Sequence, residues 1–212
     1  MFRKAVVGIV NFLFCHVFYR VKYINKEKID NMGKCVVCAN HSIMMEPAWL
    51  YCKTKNMWIM AKAELFKFKP VAKFFLYFNV FPIKRGQKDA KSIIHSINVL
   101  QQNENAKLLI FPEGTRIKKD KERGKAKAGP IYIAAKAGVP ILPVYMTKNA
   151  KVFSSPRVIY GDPIDIPANV VEDKAEVQRY ADLLLDKIYE LKELDDSNKK
   201  KEKNKDKKKK SK

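Results

Sequence analysis

Short apolar runs alternate with stretches of helical period along most of this chain. KCVVCAN (34–40), MWIMA (57–61), NVFPI (79–83), AKLLIF (106–111), VPILPVYM (139–146) and RVIYG (157–161) are rich in Val, Ile, Leu and Phe and show little alternation. Runs of this length and evenness predict strands buried on both faces. Residues 46–55 open on Glu46-Pro47, a helix-start signal. Residues 63–77 are helical with a break at Pro70. Residues 88–101 place Ala90, Ile93, Ile94, Ile97 and Leu100 at helical spacing, and 129–138 form a short helix. Residues 172–194 carry Val177, Tyr180, Ala181, Leu184, Leu185 and Ile188 on one stripe. Strands that alternate with helices predict an α/β fold, with a mostly parallel central sheet flanked by helices.

Such sheets bind ligands in the crevice beyond the carboxyl ends of their strands. His41 and Glu46 follow the first predicted strand, Lys84 and Arg85 the third, and Glu113, Gly114, Thr115 and Arg116 the fourth. Three polar clusters are therefore expected on one edge of the sheet.

The N-terminus departs from the alternation. Residues 5–19, AVVGIVNFLFCHVFY, are almost wholly apolar, with Arg3 and Lys4 before them and Arg20 and Lys22 after. Fifteen helical residues rise about 22 Å, short of the ~30 Å hydrocarbon core, and basic residues at both ends argue against a simple crossing. A signal peptide would show a small-residue cleavage site, and the chain continues instead as YRVKYINKEK. The expected element is an apolar, membrane-associating helix in the cytoplasmic leaflet, its basic flanks among the headgroups. The competing reading is a core helix of a soluble domain.

Charge sharpens this picture. The 212 residues carry a formal net charge of +21 with 47% apolar content. The run from Asp195 to Lys212 holds ten Lys against four acids, so most of the excess lies in the body. A basic body suits nucleic acid, an anionic membrane surface or phosphorylated substrates. No helix-turn-helix, RNP-type aromatic motif or zinc-finger spacing is present, so no specific nucleic-acid partner is expected. From Ser197 the Lys-rich run reads as disordered.

Of the four cysteines, Cys35 and Cys38 form a CxxC. Residues three apart on a strand point to opposite faces, and no second ligand pair follows, so no metal site is expected. Buried, reduced thiols are the expected state.

The candidate chemistry centres on His41. Imidazole takes a proton near neutral pH, and a carboxylate on its other nitrogen fixes the tautomer. His16 lies in the apolar N-terminal stretch and His95 off the Ile stripe of its helix, so neither has a comparable setting. No Gly-x-Ser-x-Gly nucleophile is present, and Ser42 directly adjoins His41. His41 is therefore expected to activate a hydroxyl on the substrate, with direct transfer and no covalent intermediate. FPIKRG and FPEGTR supply Lys84, Arg85 and Arg116, which read as a phosphate clamp. The Walker pattern is absent.

Asn40-His41 with Glu46, then FPIKRG, FPEGTR and VPILPV, resemble the four ordered motifs of the 1-acylglycerol-3-phosphate acyltransferase family, the phospholipid and glycerolipid acyltransferases. The match runs from about Lys34 to Val144, and Lys127-Ala128-Gly129 resembles the family's lysine and glycine before the fourth motif. The resemblance implies an O-acyltransferase. It would move a fatty acyl group from an acyl thioester, of coenzyme A or acyl carrier protein, to the free hydroxyl of lysophosphatidic acid. The product would be phosphatidic acid, for phospholipid biosynthesis, made without cofactor or metal. His41 would be the base, oriented by Glu46. Arg85, beside Lys84, would hold the acceptor phosphate, and Glu113, Gly114, Thr115 and Arg116 would complete the acceptor site. Pro140 and Pro143 of the fourth motif would line the acyl or thioester side. The implied location is the cytoplasmic face of the cell membrane, peripheral or monotopic. The implied organisation is a membrane-interface helix (1–24), an acyltransferase domain (25–196) and a disordered tail (197–212). One position departs from the family: His-x4-Glu stands where His-x4-Asp is usual. The added methylene matters, because a shift of about 1 Å can cost ~100-fold in rate. Alternatives are another lysolipid or glycerol 3-phosphate as acceptor, or a catalytically impaired lipid-binding member.

Overall fold

The computed structural model describes residues 2–84, 89–118 and 123–210, with side chains through Ser197. In chain order the elements are α1 (Phe2–Asn11), β1 (Lys22–Ile24), α2 (Glu27–Asp30), β2 (Cys35–Ala39), α3 (Glu46–Tyr51), β3 (Met57–Lys62) and α4 (Lys69–Tyr77). They continue with β4 (Val80–Ile83), α5 (Ala90–Gln102), β5 (Lys107–Ile110), α6 (Gly129–Ala137), β6 (Ile141–Met146), β7 (Arg157–Tyr160) and α7 (Lys174–Lys210).

The seven strands form one sheet in the order β1-β7-β6-β2-β5-β3-β4. Every pairing is parallel except β6 with β7. The α/β expectation with a mostly parallel sheet is thus met. The central strands β2, β5 and β6 are buried at every position, as their unbroken apolar runs require. Alternate residues feed the two faces. Val36, Cys38, Leu108 and Ile110 pack beneath α5, α6 and α7. Cys35, Val37, Ala39 and Leu109 pack with Trp49, Leu50, Cys15 and Tyr19 on the other face. The two CxxC sulfurs accordingly sit on opposite sides of the sheet. Burial pushes the Cys35 thiol up to about 12 and Cys38 well above its ordinary value.

Helix starts follow the local signals. Glu46-Pro47 opens α3, Pro70 lies in the first turn of α4, and Asp89 caps α5 by accepting from Ser92 N at 3.1 Å.

Several expectations need correction. The N-terminal stretch is not one helix over 5–19. It is α1 followed by a π-helical segment, Phe12–Val17. Cys15 and Tyr19 are buried in the core, and β1 joins the sheet through β7, so this segment is stitched into the domain. No helix among the described residues is long and apolar enough to cross a membrane. The Lys-rich run read as disordered continues the backbone of α7 to Lys210, since Lys and Glu are good helix formers.

Candidate active site

The parallel strands β2 to β6 all end on one edge, and β2, near the middle, delivers Asn40 and His41 there. Asn40 pins that end to β6: its Nδ2 donates to Met146 O at 2.9 Å and its Oδ1 accepts from Met146 N at 2.7 Å. The chain then turns into α3, whose first residue is Glu46. The carboxylate of Glu46 is fully buried and accepts from Ser42 N at 2.8 Å, from Ser42 Oγ at 2.6 Å and from His41 Nδ1 at 2.6 Å. Where the carboxylate accepts, Nδ1 is the donor, and that tautomer leaves the Nε2 lone pair for a substrate proton. The extra methylene of Glu46 is absorbed by the turn, because the acid reaches both Ser42 and the imidazole. Asn149 N donates to Ser42 Oγ at 3.1 Å and closes the hydrogen-bond chain from behind.

The FPEGTR turn holds His41 from the neighbouring strand β5. The His41 ring stacks on Phe111 at 4.0 Å between centroids and 18° between planes. His41 O accepts from Ile117 N at 2.8 Å. Glu113 is expected in the acceptor site, but the structure turns it inward. It is 3% exposed, with Oε2 accepting from His41 N at 3.3 Å and Oε1 accepting from Gly124 N and from the Tyr189 hydroxyl, each at 2.8 Å. Three donors occupy the carboxylate, so it supports the wall of the site. Gly114 makes the turn possible with φ +69°, and Gly124 leaves room for Glu113, since a Cβ there would crowd Glu113 Cβ at 3.0 Å. Thr115 and Arg116 are exposed.

An apolar cavity of about 460 Å³ opens beside His41. Val6, Val7 and Val10 of α1, Pro47, Ala48 and Tyr51 of α3, Phe74 and Phe75 of α4, and Phe78 just after it form much of its wall. Among the described residues, the basic groups in the lining are His41, Arg116 and Lys62, the last residue of β3. Lys62 escaped the sequence reading, although its place at a strand end is the signal that marked the other clusters. Its Nζ lies 3.2 Å from Glu64 Oε1.

The remaining expected residues distribute unevenly. Lys84 directly follows the edge strand β4; its backbone N donates to Asp89 Oδ2 at 2.8 Å, and it does not line the cavity. Arg85 lies outside the described residues. Pro140 precedes β6, and its carbonyl accepts from Val36 N at 3.0 Å near the start of β2. At about 3.3 Å per strand residue, that is the sheet edge opposite His41, so Pro140 does not meet the acyl side. Pro143 is buried within β6 opposite Cys38, and its carbonyl accepts from Gly161 N at 2.8 Å; it too is absent from the cavity wall. The fourth motif builds the sheet beneath the site.

The chain is similar to several known proteins. The chain is 28% identical over 175 residues to the 1-acyl-sn-glycerol-3-phosphate acyltransferase BAT2, chloroplastic, of Brassica napus, covering 80% of this chain and 48% of that protein. It is 25% identical over 150 residues to the human 1-acyl-sn-glycerol-3-phosphate acyltransferase beta, 68% of this chain and 52% of that one. With the 1-acyl-sn-glycerol-3-phosphate acyltransferase of Helicobacter pylori it shares 29% identity over 147 residues, 66% of this chain and 61% of that one. The chain thus spans about half to three fifths of the length of these relatives. In fold it is similar to the crystal structure of the 1-acyl-sn-glycerophosphate (LPA) acyltransferase PlsC from Thermotoga maritima. The TM-score is 0.67 at 24% identity, covering 89% of this chain and 79% of that chain. A family model described as Acyltransferase matches residues 20–147, a span that holds His41, Glu46 and the FPEGTR turn and exceeds half of the chain, and the protein belongs to that family.

Proposed function

We propose that the protein is a 1-acylglycerol-3-phosphate O-acyltransferase acting at the cytoplasmic surface of the cell membrane. The observation that carries this reading is the His41 Nδ1 to Glu46 Oε2 hydrogen bond of 2.6 Å at the wall of an apolar cavity. His41 Nε2 takes the proton from the free hydroxyl of lysophosphatidic acid. The oxygen attacks the thioester carbonyl carbon; a C–O bond forms and the C–S bond breaks. The proton on His41 returns to the leaving thiolate of coenzyme A or acyl carrier protein. Neither a cofactor nor a metal enters this scheme. The Glu46 carboxylate stabilises the imidazolium while the proton is held there.

The cavity takes a fatty acyl chain, since its wall is apolar except near His41, Lys62 and Arg116. Lys62 and Arg116 attract the acceptor phosphate, and Lys84 and Arg85 of FPIKRG are proposed as further cations for it. Exposed apolar side chains continue outward from the cavity. Phe2, Ile9 and Phe12 on the N-terminal segment and Leu65, Phe68, Phe74 and Leu76 around α4 are all at least 46% exposed. The Phe2 and Tyr77 rings, 6.1 Å apart, join the two groups. A patch of this kind beside basic residues fits a membrane surface, with the lipid substrates drawn from it.

The test is product identification. Acyl-CoA or acyl carrier protein thioester is offered in detergent micelles with lysophosphatidic acid, glycerol 3-phosphate or lysophosphatidylcholine, and the lipid formed is weighed by mass spectrometry. Phosphatidic acid from lysophosphatidic acid supports the reading. Preferential acylation of another acceptor would replace the substrate, and no acylation of any acceptor would remove the reading.

A further inference from the structure

The matched family region ends at residue 147, yet α7, which begins at Lys174, reaches the site. The Tyr189 hydroxyl donates to Glu113 Oε1 at 2.8 Å, across 76 positions of sequence. The other oxygen of that buried carboxylate accepts from His41 N at 3.3 Å. The Tyr189 ring is held in place by Tyr145, 6.2 Å away between centroids, and by the Lys148 ammonium, 5.6 Å from its centroid. Burial, then the hydrogen bond to Glu113, push the Tyr189 phenol well above its ordinary value, so it acts as a neutral donor. A second contact, the Arg123–Asp186 ion pair, ties α7 to the loop that carries Gly124, which also donates to Glu113.

We propose that Tyr189 is a positioning residue for His41, acting through Glu113. This rests on the acyltransferase reading of the site. The imidazole is oriented by Glu46, but its backbone is set by Glu113 and by Ile117. Oε1 of Glu113 is satisfied by two donors, one from the loop and one from α7. Removing the phenol leaves the carboxylate free to swing toward Gly124, and Oε2 then leaves His41 N. The contact at 3.3 Å is already long and is readily lost. The base would move by a fraction of an ångström, which lowers the rate without touching either substrate.

The test compares wild type, Tyr189→Phe and, as a control on the same helix, Tyr180→Phe. Two readouts are taken: kcat and KM for both substrates in micelles, and the side-chain resonances of isotope-labelled histidine, with His41 assigned by its absence from His41→Ala. The expected result for Tyr189→Phe is a kcat about tenfold lower at unchanged KM, with a displaced His41 resonance and a preserved far-ultraviolet spectrum. Tyr180→Phe should leave both readouts as in wild type. An unmoved His41 resonance, or an effect confined to KM, would overturn the proposal. If Tyr189→Phe loses its fold, Glu113→Gln is read the same way; an unmoved His41 resonance there overturns it too. Absence of turnover in wild type would strike the acyltransferase reading alone, because the resonance comparison needs no turnover.

Discussion

His41 is held at every polar atom except Nε2: Nδ1 by Glu46, the backbone N by Glu113 and the backbone O by Ile117. That leaves one nitrogen for chemistry, which is what a general base requires. Glu46→Gln should keep the packing but remove the charge that stabilises imidazolium, lowering kcat by about 10²- to 10⁴-fold at similar KM. Steady-state kinetics check this, and a kcat within twofold of wild type would contradict the orienting role. Glu46→Asp, although it restores the usual family acid, should lower kcat by about 10- to 100-fold. The Ser42 turn is built to the longer side chain, and the shorter one cannot reach Ser42 and Nδ1 together. A variant as fast as wild type would show that the turn relaxes. The His41–Glu46 pair was legible in the sequence because five residues of one turn connect it. Glu113 was misread because a motif string gives identity and not direction. Tyr189 was invisible, since only the fold brings together groups so far apart in the chain.

At the level of elements, Asp89 joins two of them. It caps α5 through Ser92 and holds the end of β4 through Lys84 N. Those hydrogen bonds, that from Lys84 N first, depress its carboxyl below the ordinary value. A depressed folded value means stability present above the unfolded value near 3.8 and lost as pH falls through the folded one. Asp89→Ala should therefore cost about 1 kcal/mol near neutral pH, and the gap from wild type should close under acid. Denaturant unfolding at pH 7 and pH 3 checks it; a gap unchanged at pH 3 would contradict the assignment. α1 supplies Val6, Val7 and Val10 to the cavity wall, which under the proposed function is the acyl path. Val10→Phe should crowd the cavity and reduce turnover of long-chain thioesters more than short ones, read from kcat/KM across a chain-length series. Equal loss at every length would separate α1 from the acyl path. The buried strands were legible from their apolar runs, and the start of α3 from Glu46-Pro47; Pro70, read as a break within a helix over 63–77, instead lies in the first turn of α4. β1 was not: three residues at an edge, only partly buried, leave no run to read. The N-terminal stretch looked like one apolar helix because its hydrophobicity does not reveal that Cys15 and Tyr19 face the protein.

The whole molecule combines a +21 charge with the apolar cavity beside His41 and an exposed apolar face. Lysines near an anionic surface contribute on the order of 1 kcal/mol each, screened by salt. Removing residues 197–212 should weaken sedimentation with anionic vesicles at low salt and leave micellar turnover intact. Loss of micellar turnover would assign those residues to the chemistry. The fold class, and the sheet edge on which His41 and Glu46 lie, could be read from the order of elements. The strand order β1-β7-β6-β2-β5-β3-β4 could not, because no local pattern says which buried run lies beside which. The measurement that bears most directly on the account is turnover of an acyl thioester with lysophosphatidic acid by wild type and His41→Ala side by side in micelles. The account predicts phosphatidic acid from wild type and at least ~100-fold less from His41→Ala. Equal product from the two proteins, or none from wild type, would contradict it.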